Sequence, residues 1–213
     1  MRRLPVYLVL DTSGSMTGEP IEAVKNGVQM LVSALRQDPY ALETAYLSVI
    51  TFDSTARQAV PLTELSMFQP PKLEASGVTA LGDALKLLSD KIDTEVTKTT
   101  AESKGDWKPM VFIMTDGMPT DDWEKGLEVF KNKKVGVTVA CAVGKTVQTA
   151  LLKKITEFVV QLEKEDAKSI DAFFKWVSAS VSTSSQKVES GADIDLTKSS
   201  DLPPPPPEIN LVV

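Results

Sequence analysis

An apolar run over residues 4–10 stops abruptly at Asp11-Thr12-Ser13-Gly14-Ser15. The run is short and rich in β-branched and aromatic side chains, so it reads as a buried strand. A strand that ends in a carboxylate delivers that carboxylate to the edge of a sheet. Asp11, Ser13 and Ser15 then share one tight loop, turned at Gly14 and Gly18, and Pro20 opens an amphipathic helix where its missing N–H costs nothing. Strand, oxygen-rich loop and helix N-terminus together make a site for a charged group. The same residue types also act as caps and turn formers, so the loop alone leaves both readings open.

Composition narrows the chemistry. With 213 residues, 42% of them hydrophobic and 24% charged, the chain can bury one sizeable core and carry a tail. A net charge of -6 without a basic run argues against nucleic acid and against an anionic membrane surface. Met1-Arg2-Arg3 and the apolar stretch behind it have the look of a signal peptide, but the stretch ends at Asp11. No later apolar run approaches the roughly 18 residues of a membrane span. A soluble, cytoplasmic protein is the expectation. The single cysteine, Cys141, lies in the apolar run 135–143 and reads as a small core residue. There is no histidine. That excludes Ser-His-Asp and Cys-His nucleophile systems and argues against structural zinc. Any metal must be a hard one.

Along the chain, Ile21, Val24, Val28, Leu31 and Leu35 form a helical stripe over residues 20–36. Residues 46–52 read as the next strand and 56–62 as a shorter, more polar one, joined by an Asp53-Ser54 turn that makes the pair antiparallel. Residues 63–76 read as loop. Leu81, Leu85, Leu88 and Ile92 mark a second helix, with Thr79 at or near its N-cap. Residues 94–108 lack an apolar period and read as an exposed loop. The uninterrupted run 110–114 is a central strand that ends in Thr115-Asp116-Gly117. A helix over about 121–133 follows, with Asp121 and Asp122 placed to suit its positive end. Then come a buried strand over 135–143, a short helix over 147–155, a last strand over 158–162 and a final helix over about 166–181.

This alternation predicts an α/β fold: a doubly wound, mostly parallel sheet with helices on both faces, strand order 3-2-1-4-5-6 and a short antiparallel strand at one edge. Winding then reverses between the first strand and the strand at Met110, which opens a crevice at their carboxyl ends. Asp11, Ser13 and Ser15 follow the first of these strands, Asp116 follows the other, and Thr79 opens the helix between them. Three hydroxyls and two carboxylates make an all-oxygen site. Such a site suits Mg²⁺ or Mn²⁺.

The pattern Asp11-x-Ser13-x-Ser15, then Thr79, then Asp116 resembles the metal-ion-dependent adhesion site of von Willebrand factor A domains, over residues 4–181. The opening Leu-Val-Leu-Asp-Thr-Ser-Gly-Ser-Met and the segment Met-Thr-Asp-Gly-Met-Pro-Thr-Asp resemble most the bacterial TerY-like members found with tellurite-resistance genes. The resemblance implies that Ser13, Ser15 and Thr79 bind the metal through their hydroxyls, with Asp11 and Asp116 acting directly or through water. It further implies a non-enzymatic, metal-dependent adaptor or scaffold that takes an Asp or Glu from a partner protein, in a tellurite-resistance or stress-response system. Kinase or phosphatase proteins encoded nearby are the partners it points to. Val78 departs from the family, in which a glycine often precedes the threonine. Asp121 and Asp122 read as helix-end charges rather than ligands.

The alternative is a Mg²⁺-dependent aspartate-type phosphotransferase or phosphatase, which also begins with an Asp after the first strand. Such enzymes carry a second carboxylate where this chain has Ser13, and no lysine motif accompanies the site. Gly14 and Gly18 do not form a dinucleotide-binding loop. Residues 183–213, rich in Ser and then in Pro at 203–207, are expected to form a flexible tail beyond a domain at 1–182, with the proline run a stiff spacer. The apolar residues 209–213 are placed to pair with a sheet edge.

Overall fold

Strand β1, Leu4–Asp11, is buried along its whole length, as an apolar run covered on both faces of a sheet must be. The computed structural model describes residues 2–145, 147–189 and 202–212. After β1 come α1 (Glu19–Arg36), α2 (Pro39–Thr44), β2 (Ala45–Phe52), β3 (Ala56–Glu64), α3 (Leu81–Glu95), β4 (Met110–Thr115) and α4 (Trp123–Lys131). The chain continues as β5 (Thr138–Val143), α5 (Thr149–Ile155), β6 (Val159–Leu162), α6 (Ala167–Glu189) and β7 (Asn210–Val212). They build one sheet in the order β3-β2-β1-β4-β5-β6-β7. β3 and β7 pair antiparallel at the two edges, and every pairing between them is parallel. The expected doubly wound order is therefore present, extended by one strand.

The pleat sorts the core into two layers. Leu4, Val6, Leu8 and Leu10 of β1 face the cluster built with α1 and α6, while Tyr7 and Val9 face the cluster built with α3, α4 and α5. Cys141 lies in the first cluster, and burial pushes its thiol up. Trp107 packs against the same cluster under the Arg2 guanidinium, 3.8 Å from its ring centre.

Several boundaries differ from the sequence reading. α2 is an additional helix. Its signal was Asp38-Pro39: Asp38 accepts from the amides of Tyr40 and Ala41, and Pro39 takes the first helical turn. β5 begins at Thr138 instead of 135, and β3 runs on to Glu64 with Pro61 on the sheet edge, where a missing N–H does no harm.

The largest difference is at the C-terminal end. Residues 183–189 continue α6, because Ser184, Ser185 and Val188 are buried against the body of the protein. Residues 190–201 of the expected tail lie outside the described residues. Residues 202–212 return to the sheet instead of forming an exposed spacer. The Trp176 indole donates to the Pro203 carbonyl at 2.8 Å, Lys168 pairs with Glu208 at 3.4 Å, and Ile209 is 4% exposed. β7 then covers the open edge of β6 in the register Val160↔Leu211. No helix among the described residues is long and apolar enough to cross a membrane.

Candidate functional site at the switch point

β1 and β4 lie side by side in parallel with Leu10 opposite Met114, so Asp11 and Asp116 leave the sheet together at its carboxyl edge. Winding runs from β1 toward β2 on one side and from β4 toward β5 on the other, and the two loops part at a crevice.

Hydrogen bonds link the loop side chains into one chain. Asp11 Oδ1 accepts from the Ser13 amide at 2.8 Å, and Asp11 Oδ2 accepts from the Thr115 hydroxyl at 2.5 Å. The Ser13 and Ser15 hydroxyl oxygens are 3.0 Å apart, and the Ser15 hydroxyl donates to Asp116 Oδ1 at 2.8 Å. Because Ser15 gives its proton to Asp116, its oxygen accepts from Ser13 and keeps one lone pair free. A 3-10 turn over Gly14–Met16 shapes this loop, and the Gly14 amide ties it to the Gly77 carbonyl at 3.1 Å. Gly77 sits at φ +70°, a conformation that favours glycine, and a Cβ there would lie 2.3 Å from Ser54 Oγ.

Thr79 arrives from the crossover. Its amide donates to Thr120 Oγ1 at 3.2 Å and its carbonyl accepts from the Thr120 amide at 2.9 Å, a clasp that joins the loop before α3 to the loop after β4. A Cβ on Gly117 would stand 3.0 Å from Thr79 Oγ1, so the glycine after Asp116 lets that hydroxyl come close. Thr79 is not the cap of α3. Ala80 holds that position without a side-chain bond, and Asp121 caps the helix from outside, accepting from the Gly82 amide at 3.1 Å and the Asp83 amide at 2.9 Å. The Thr79 hydroxyl is thus left unengaged among the described residues. Asp121 is a helix-end charge as expected, but for α3 instead of α4. Asp122 precedes α4 and pairs with Lys125 at 2.6 Å.

The electrostatics are dominated by two buried carboxylates. Asp11 is 0% exposed and Asp116 is 7% exposed, and neither takes part in an ion pair among the described residues. Burial raises the Asp11 carboxyl above its ordinary value against the opposing bonds from Ser13 and Thr115. Burial also raises Asp116, and repulsion from Asp11 adds to it while the Ser15 bond opposes. Two buried, mutually repelling carboxylates beside hydroxyl oxygens fit a hard divalent cation. No three Asp, Glu, His or Cys side chains converge as a metal cluster among the described residues. A metal here has to draw on the hydroxyls.

Thr115, Gly117 and Thr120 support this site and were not singled out from the sequence. Only the position of Thr115 and Gly117 on either side of Asp116 could have marked them.

Fold and site together define a doubly wound α/β domain with an oxygen-lined crevice at its switch point. The chain belongs to the von Willebrand factor type A domain family, which matches residues 6–175. The uncharacterized protein sll0103 of Synechocystis sp. is 34% identical over 123 residues, covering 54% of this chain and 26% of that protein. A von Willebrand factor type A structure from Catenulispora acidiphila superposes with a TM-score of 0.64 at 18% identity, over 85% of this chain and 43% of that one. Proximal thread matrix protein 1 from the mussel byssus, solved with its metal-ion-dependent adhesion site occupied by zinc, gives a TM-score of 0.59 at 20% identity, over 86% of this chain and 46% of that one. These two likenesses show the shared fold. The chain spans about a quarter of the length of the curated relative.

Proposed function

We propose that Asp11, Ser13, Ser15, Thr79 and Asp116 form a metal-ion-dependent adhesion site for Mg²⁺ or Mn²⁺, and that the protein is a non-enzymatic, metal-dependent protein-binding module. One observation carries the reading: Asp11 and Asp116 are buried together at the switch point, joined through the Ser13 amide and the Ser13 and Ser15 hydroxyls, and among the described residues neither takes part in an ion pair. A zinc-occupied site of this type in the mussel protein supports it.

When bound, the cation supplies a Lewis-acidic position for an incoming carboxylate. The protein's own residues do the rest. Thr115 and the Ser13 amide fix both oxygens of Asp11, Ser15 fixes Asp116, and the third loop is held to the loop after β4 by the Thr79–Thr120 clasp and to the first loop by the Gly14–Gly77 bond. Three of the five candidate ligands are neutral hydroxyls, so much of a double positive charge remains for the partner's Asp or Glu. The titratable groups among these five are the two carboxylates that the metal would occupy, which leaves no separate general base for an enzyme.

The Asp-Thr-Ser-Gly-Ser and Met-Thr-Asp-Gly-Met-Pro-Thr-Asp segments support a place among the TerY-like proteins, acting in the cytoplasm in a tellurite-resistance or stress response. Kinase or phosphatase proteins encoded nearby are the partners to look for. Affinity capture from the native cell tests the module. The partner should be retained in Mg²⁺ and lost both in EDTA and with Ser13→Ala/Ser15→Ala; capture unchanged in EDTA contradicts the mechanism.

A further inference from the structure

Val78 is 51% exposed and Met118 is 43% exposed. Large apolar side chains left this open are ordinary when they are scattered singly. Met67, Val129 and Leu211 fit that description, lying on the loop after β3, α4 and β7, and Tyr40 and Leu42 lie on α2, which carries no candidate ligand. Val78 and Met118 differ from all of these. Val78 immediately precedes Thr79, and Met118 stands two residues after Asp116 and two before Thr120. The reciprocal Thr79–Thr120 bonds join the loops that carry them. The Val78 loop is further braced where the Val78 amide donates to Ser54 Oγ at 3.4 Å. Two loops held together, each carrying a candidate ligand, therefore each expose an apolar side chain within two residues of that ligand.

From this we infer that the partner's acidic residue is flanked by apolar side chains, and that Val78 and Met118 select for them. The inference rests on the reading of the site given above and deepens it. The buried carboxylate pair sets the central charge through the cation it requires, and the two rim residues set what stands beside the partner's acid. Neither preference can substitute for the other: a lone apolar segment leaves the cation's open position unfilled, and a polar-flanked acid leaves Val78 and Met118 in water. Covering half-exposed aliphatic side chains of this size is worth about tenfold in affinity.

Two synthetic peptides test this on the full chain. One carries a single Asp between leucines, and its twin carries the same Asp between serines. Each is titrated in Mg²⁺ and in EDTA, with binding followed by amide shifts in NMR spectra of the wild type and of Val78→Ser/Met118→Ser. The wild type should bind the leucine-flanked peptide about tenfold more tightly, in Mg²⁺ alone. The double variant should bind Mg²⁺ as the wild type does and keep less than a threefold preference. Metal-dependent binding with no preference between the peptides, or a preference that survives in the variant, overturns the inference while leaving the site reading intact. Failure of both peptides to bind the metal-loaded protein overturns it too. Binding of both peptides that ignores EDTA overturns the site reading, and this inference with it.

Discussion

The Thr115 hydroxyl donates to Asp11 Oδ2 at 2.5 Å, so the end of β4 holds the end of β1 across 104 positions of sequence. Thr115→Val keeps the shape and removes that bond. Outer partners of this kind typically set metal affinity by 10- to 100-fold. Calorimetry should show Mg²⁺ affinity down by about tenfold with the circular dichroism spectrum unchanged; affinity equal to wild type would show that Asp11 needs no such support.

Asp121 separates a structural role from a ligand role. Its carboxylate caps α3 through the Gly82 and Asp83 amides. Asp121→Ala should lower stability by about 1 kcal/mol in urea denaturation. Thr79→Ala should instead weaken Mg²⁺ binding and leave stability nearly unchanged, since Asp121, not Thr79, satisfies the helix end.

What the sequence made legible was the frame. Uninterrupted apolar runs at residues 4–10 and 110–114 marked the two parallel strands of the switch point, and the polar residues that ended them marked the loops. Less legible was anything that depended on distant pairing. Nothing local distinguishes Asp121 as the cap of α3 from Asp121 as the start of α4, because the choice is made by how the two helices cross. α2 carries its own signal in Asp38-Pro39, but its six residues are too few to show a helical period of apolar side chains. The proline-rich segment reads as a spacer by composition, yet Trp176 and the open edge of β6 give it partners that only the folded body provides.

That segment contributes to stability. Ile209 is buried, and β7 closes an otherwise unpaired sheet edge. Ile209→Ala should cost about 2 kcal/mol. Removing residues 202–213 should lower the thermal midpoint by several degrees in a calorimetric scan. An unchanged midpoint would mean that the docked segment contributes nothing.

Acid sensitivity should run through Arg3 and Asp106. Burial alone would raise the Asp106 carboxyl, but the Arg3 guanidinium, at 2.5 Å, and the Thr97 amide, at 2.7 Å, outweigh it and hold the group below its ordinary value of 3.8. A carboxyl lowered in the folded state adds stability above its unfolded value, and that stability is lost as pH falls through the folded value. Asp106→Asn should therefore destabilise the protein at pH 7 and flatten the loss of stability below about pH 4. Parallel urea curves for both proteins at neutral and acid pH check it; equal slopes against pH would remove the pair from the account.

Five oxygen-bearing side chains on three loops are proposed to hold one divalent cation. The most direct measurement is anomalous diffraction at the manganese edge from crystals soaked in Mn²⁺, comparing the wild type with Ser13→Ala/Ser15→Ala. The account predicts one strong peak in the wild type, bounded by Asp11, Ser13, Ser15, Thr79 and Asp116, and none there in the variant. A wild-type map without that peak, or a peak that persists undiminished in the variant, would contradict it.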